Sequence, residues 1–256
     1  MKPLETSVTD YLDELKPRSA GKDLSRIEGF FDNLLGRVRP RTGDPRQRNG
    51  DPGRLWIPGL RAQPWHDPAE LPWLAEFAAS RAELLKEARS LLEQGLFAVS
   101  GESREDLDYQ GWVAVDLMSI DLNVGEDSFR AETYTFPENR KRAPRAAKLM
   151  KRLPLIGDCF YSVLEPGGVV KPHFSYFNGK LICHLGLSVP PDCGIRLAGE
   201  TRRWEDGKFL VFDDTYIHDT WNRSGEPRIL FHMGVWHPDL APHEIAALEG
   251  WFARSA

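Results

Sequence analysis

Two histidines and an arginine in this chain have the types and placement for metal and anion chemistry. His173 closes the run EPGGVVKPH, His218 interrupts FDDTYIHDTW, and Arg228 opens the apolar run RILFHMGVW. Imidazole binds several transition metals, and two imidazoles brought together from separate strands make half of a metal site. A lone histidine is usually an ordinary polar residue, so the case rests on convergence. Both lie where a β-like run meets a polar break, and the mouth of a β-barrel gathers residues distant in sequence.

His184 and Arg228 extend the pattern. In KLICHLGLSV, strand alternation puts Ile182, His184, Gly186 and Ser188 on one face, and Leu181, Cys183, Leu185, Leu187 and Val189 on the other. A buried histidine there needs a hydrogen-bond partner, either within the core or in an anionic ligand. Arg228 shares a face with Leu230, His232, Gly234 and Trp236. A guanidinium cannot lose its proton, so inside a barrel it requires an anion. A carboxylate from another strand and a bound dicarboxylate both satisfy that requirement. Ser162, on the face Phe160, Ser162, Leu164, adds a hydroxyl to the same anion. Two imidazoles, an arginine and a hydroxyl suit a ferrous centre that chelates a 2-oxo acid and leaves room for dioxygen. A structural zinc would want four ligands, usually with closely spaced thiolates.

The elements that must position these residues fall into two textures. Residues 8–15 and 24–36 have helical apolar spacing, and 74–94 reads as an amphipathic helix with Leu74, Phe77, Leu84, Leu85, Leu91 and Leu92 on its stripe. Between them GRVRPRTGDPRQRNGDPGR reads as an exposed linker. From Gly111 onward, short β-branched and aromatic runs (112–118, 159–164, 181–189, 194–198, 208–213 and 228–236) predict a sandwich or jelly-roll barrel. One helical insertion is expected at 143–152. The predicted organisation is a helical extension and linker over 1–50, then a domain over 51–256 with its barrel core at about 111–240. The basic run ENRKRAPRAAKLMKRLP is read either as a solvated helix face or as a docking surface for an acidic partner, such as a carrier-tethered substrate.

Composition narrows the classes. With 41% hydrophobic and 28% charged residues, the chain has enough apolar mass for a core. A net charge of −5 argues against nucleic acid as the main partner. No apolar run is long enough to span a membrane, and the start lacks the apolar region of a secretory signal. Three cysteines without a CxxC pair fit a reducing, cytoplasmic setting.

The segments WIPGLRAQPW, SVLEPGGVVKPH, HLGLSVP, IRLAGETRRWEDGKFLVFDDTYIHDTW and RILFHMGVWHPDL resemble the aspartyl/asparaginyl β-hydroxylase family of Fe(II)- and 2-oxoglutarate-dependent oxygenases. The resemblance covers about residues 55–240 and implies a double-stranded β-helix, a jelly-roll barrel. It makes His173 and His218 the two iron ligands, Ser162 and Arg228 the holders of the far carboxylate of 2-oxoglutarate, and His184 a further cosubstrate contact. It also implies iron binding without a carboxylate ligand, which accommodates Ser175 two residues after His173. Asp214 either steadies a water from beyond the ligands or serves with Asp213 in a structural turn. Where better-known members carry basic residues that grip an acidic side chain, this chain has Phe160 and Ile182, with Lys180 keeping a positive charge. A small molecule, amino acid or peptide is therefore the expected substrate. The expected reaction is hydroxylation of an unactivated C–H bond; a halogenase use of the iron and an inactive binding barrel are the alternatives. His66, His232, His237 and His243 receive no catalytic role.

Overall fold

The computed structural model describes residues 3–98 and 109–255. Ten strands form one curled sheet whose named pairings are all antiparallel. Its larger wall runs β1 (Trp65–His66), β8 (Phe209–Phe212), β5 (Lys180–Ser188), β10 (Arg228–Trp236), then β4 (Leu155–His173). The sheet continues from β4 into β9 (His218–Asn222), β6 (Cys193–Leu197) and β7 (Glu200–Arg202), while β2 (Tyr109–Val124) pairs with β4 and with β3 (Phe129–Thr135). This half-barrel is a double-stranded β-helix, as the family resemblance implies, and it is the barrel rather than the sandwich of the two forms that the spacing of the short apolar runs allows.

The curl depends on β4. It pairs with β10 from Leu155 to Leu164, then with β9 from Val169 to His173. The EPGG stretch between them is thus a corner inside one long strand rather than a turn that ends it. Gly167 adopts φ +76°, and a Cβ on Gly111 of β2 would sit 3.4 Å from the Gly168 backbone. Glycine at these positions lets the chains approach and bend where a side chain would be crowded.

Both faces of the larger wall are buried. Its outer side chains, including Tyr161, Val163, Cys183, Leu185, Phe231 and Met233, pack under α3 (Leu74–Ala79), α4 (Arg81–Glu93) and α6 (Pro144–Met150). Each such aliphatic or aromatic side chain contributes about 1.5–3 kcal/mol of burial. The helix predicted over 74–94 is broken at Ser80, whose hydroxyl donates to the Glu76 carbonyl and accepts from Arg145. The insertion expected at 143–152 is α6, and a further short helix, α5 (Pro137–Arg142), precedes it.

The N-terminal helices α1 (Leu4–Arg18) and α2 (Ser25–Leu34) share a core with α7 (Pro242–Arg254), a helix the sequence reading did not anticipate. Phe31 packs edge-on against Trp251, and Arg26 of α2 pairs with Glu244 of α7 at 2.9 Å. The stretch after α2 runs mostly over the surface yet is docked on the barrel. Gln47 is buried and donates to Asp213, and the Arg48 amide donates to the Thr215 carbonyl, just before His218.

Candidate active site

A cavity of about 210 Å³ opens between the two walls. It brings together every residue singled out from the sequence: Phe160, Ser162, His173, Lys180, Ile182, His184, Asp214, His218 and Arg228, with Ser175 beside them.

His173 and His218 are direct partners across the β4–β9 ladder. Their ring centroids lie 4.1 Å apart. His173 Nδ1 is 2.8 Å from the Lys171 carbonyl, and His218 Nδ1 is 2.9 Å from the Tyr216 carbonyl. A carbonyl accepts only, so each Nδ1 carries the hydrogen and each Nε2 carries the lone pair that a metal requires. Burial, followed by the neighbouring His173, lowers the His218 pKa to about 3, so this ring is neutral at physiological pH. Two imidazoles whose Nδ1 atoms are so engaged present Nε2 to the cavity, a donor set that fits a divalent transition metal such as Fe(II). Among the described residues, no group of three or more His, Cys, Asp or Glu side chains converges as a ligand set.

Deeper in the cavity, Arg228 is 2% exposed, and among the described residues no carboxylate pairs with it. Its guanidinium lies 4.8 Å from the Trp204 ring centroid and donates to Ser162 Oγ at 3.0 Å. Burial lowers its pKa to about 10, which still leaves it charged at neutral pH. Among the described residues, the Arg228 Nε hydrogen has no partner. Ser162 Oγ also accepts from Trp112 Nε1 at 2.9 Å. A hydroxyl has two acceptor positions and one proton, so Ser162 is left as a donor. A buried unpaired cation beside donors is an anion site.

His184 lies on the same wall, with both ring nitrogens engaged by protein. Trp204 Nε1 donates to its Nδ1 at 3.3 Å, and its Nε2 is 2.8 Å from His232 Nδ1. Burial, then the nearby His232, Arg228 and His218, push its pKa well below the usual histidine range. His232 was passed over in the sequence, yet it lines the cavity and stacks on Phe160 at 4.1 Å with 10° between the planes. The signal was present: His232 is four residues after Arg228 on the same strand face. Trp112 and Trp204 were missed because a tryptophan in a β-rich chain reads as core.

Lys180 and Asp214, expected in separate roles, form an ion pair of 3.0 Å. Asp214 Oδ1 has no partner among the described residues, and the Ser175 amide donates to the Asp214 carbonyl at 2.7 Å. The adjacent Asp213 is an anchor of the loop: it accepts from Gln47 and from the Thr215 amide and hydroxyl. His66 and His237 are buried away from the cavity with their rings 5.2 Å apart. The basic run is largely spent on local partners. Lys141 pairs with Glu138, Arg145 with Glu83 and Arg152 with Glu76, and Arg140 donates to the Leu117 carbonyl.

The fold is thus a β-helix that holds two histidines and a buried arginine in one cavity between its walls. The family model of aspartyl/asparaginyl beta-hydroxylase matches residues 79–238, and the chain belongs to that family. It is 28% identical to the human aspartyl/asparaginyl beta-hydroxylase over 270 aligned residues, covering 95% of this chain and 34% of the human protein. Aspartate beta-hydroxylase domain-containing protein 2 of Xenopus tropicalis is 35% identical over 128 residues, covering 46% of this chain and 35% of that protein. The chain spans about a third of the length of these curated relatives. Among solved structures, a Trichoplax adhaerens prolyl hydroxylase in complex with a hypoxia inducible factor peptide fragment aligns at a TM-score of 0.42 and 12% identity, over 70% of this chain and 82% of that one. No described helix is long and apolar enough to cross a membrane.

Proposed function

We propose that the protein is an Fe(II)- and 2-oxoglutarate-dependent dioxygenase that hydroxylates an unactivated C–H bond of a small molecule, amino acid or peptide. The observation that carries this reading is the buried Arg228 guanidinium, which pairs with no carboxylate among the described residues and lies in the same cavity as two oriented imidazoles. Ferrous iron, when bound, supplies the oxygen-activating chemistry. His173 and His218 would hold it through Nε2. Arg228 and Ser162 would bind the far carboxylate of 2-oxoglutarate by charge-assisted hydrogen bonds. Asp214, whose Oδ1 has no partner among the described residues, would accept from a water near the metal. Phe160, Ile182 and Phe174 exclude bulk water and shape the substrate side, where Lys180 is already compensated by Asp214. An acidic substrate side chain would meet mainly apolar wall, which favours a less acidic reacting group.

The test uses the purified protein with Fe(II), labelled 2-oxoglutarate and a metabolite extract. Succinate should form in step with a product heavier by one oxygen. His173→Ala should abolish iron-dependent succinate formation; unchanged turnover in that variant would remove the ligand assignment.

A further inference from the structure

A cavity of about 210 Å³ that also has to hold a metal ion and 2-oxoglutarate leaves little room for a substrate. Small-molecule sites usually enclose about 300–1,000 Å³. A second recess, of about 130 Å³, adjoins the cavity, and Ser175 and Lys180 line both. It opens where two strands part. β2 pairs with β4 as far as Met118 and Cys159, whereas β4 keeps its pairing with β10 to Leu155. Beyond Met118, Ile120 and Leu122 share one face of β2 and stand half-buried over the gap. The buried side chains of Ile156 and Phe177 close it from the core. Gly157 adopts φ +102°, and a Cβ there would lie 3.5 Å from Lys180 Cδ and 3.9 Å from Ile120 Cγ2. Glycine thus keeps the space between two lining side chains clear.

We propose, resting on the oxygenase reading of the same site, that this recess is the specificity pocket for the substrate and takes a short aliphatic chain attached beside the carbon to be hydroxylated. Lys180 joins the two spaces. Its methylene stem passes Gly157 in the recess, while its ammonium meets Asp214 on the cavity wall. Among the described residues that line the recess, Lys180 alone is charged, and Asp214 compensates it. The recess therefore offers an apolar chain burial and offers a carboxylate no ion pair. Tyr176 stands at the rim, 61% exposed yet held in place. Phe174 of the cavity wall meets its ring edge-on, and the Arg48 guanidinium lies 4.4 Å from the ring centroid. A ring already ordered covers a bound chain at little further entropic cost. On the cavity side Phe160 and Ile182 continue the apolar lining.

The experiment titrates the full chain, loaded with Zn(II) and 2-oxoglutarate to block turnover, with N-alkylacetamides from ethyl to octyl. Methyl NMR of isoleucine and leucine follows the binding. Affinity should rise about fourfold per methylene until the recess is full and no further, with the Ile120, Leu122 and Ile156 methyl signals moving. Leu122→Trp fills the recess and should end the gain at a shorter chain. Ile120→Ala enlarges it and should extend the gain to a longer one. Damage to the fold would shift both variants in the same direction, whereas a chain-binding recess requires opposite shifts. An affinity independent of chain length in the wild type, or a length limit unmoved in both folded variants, overturns the proposal. Absence of saturable 2-oxoglutarate binding by the Zn(II)-loaded wild type instead removes the oxygenase reading, and the substrate assignment falls with it even if the alkyl series binds.

Discussion

Lys180 Nζ lies 3.0 Å from Asp214 Oδ2 on the cavity wall, with only 18% and 10% of the two side chains exposed. Such a pair has given up most of its hydration, so removing one member strands the other. Lys180→Met should lower stability by about 3 kcal/mol, whereas Lys180→Met with Asp214→Asn should recover most of that loss. Urea unfolding of the two single variants and the double variant measures the coupling. Simple additivity would mean that the pair is solvated in solution.

Arg228 should govern the cosubstrate requirement rather than the chemical step. Arg228→Ala is expected to raise the half-saturating 2-oxoglutarate concentration by about tenfold to a hundredfold, with a smaller change in kcat. Arg228→Lys should not restore it, because an ammonium cannot reproduce a planar fork that reaches both Ser162 and a carboxylate. Succinate formation against 2-oxoglutarate concentration distinguishes these outcomes.

Stability should fall on the acid side of neutrality. Burial, reinforced by Arg61, lowers the His66 pKa to about 4, and burial outweighs Asp239 to bring His237 to about 4 as well. Unfolded histidine titrates near 6.5. Between these values the unfolded chain binds more protons, so the stabilisation is complete above about pH 6.5 and is lost as the pH falls toward 4, by roughly 3 kcal/mol per ring. Asp213 works the other way. Burial raises its pKa to about 7, so its contribution is present in acid and is lost as the pH rises through 7. The two rings outweigh this single carboxyl. Urea midpoints at pH 7, 5.5 and 4.5 should decline, and His66→Phe and His237→Phe should each flatten the slope.

The N-terminal helices should unfold together with the barrel. Phe31 is 1% exposed and meets Tyr11, Phe30 and Trp251 edge-on. Phe31→Ala should cost about 3–5 kcal/mol and shift tryptophan fluorescence and circular dichroism midpoints equally. Separate transitions would assign the extension its own folding unit.

Period-two alternation in 181–189 and 228–236, and the turn residues around them, were enough to predict a β-barrel and to put His184 and Arg228 on definite strand faces. That information is local, because a strand's pleat fixes which side chains share a face. The family resemblance was legible for the same reason, being carried by contiguous segments. Alternation does not say which strands pair, and pairing decided the rest. The register of β10 between β4 and β5 placed His232 against Phe160 and His184, and the corner in β4 brought His173 opposite His218. The pairing of Lys180 with Asp214, the docking of Gln47 on Asp213 and the packing of α7 on α2 join residues remote in the chain. Their geometry is set by the packing of whole walls and helices, which no single stretch of sequence contains.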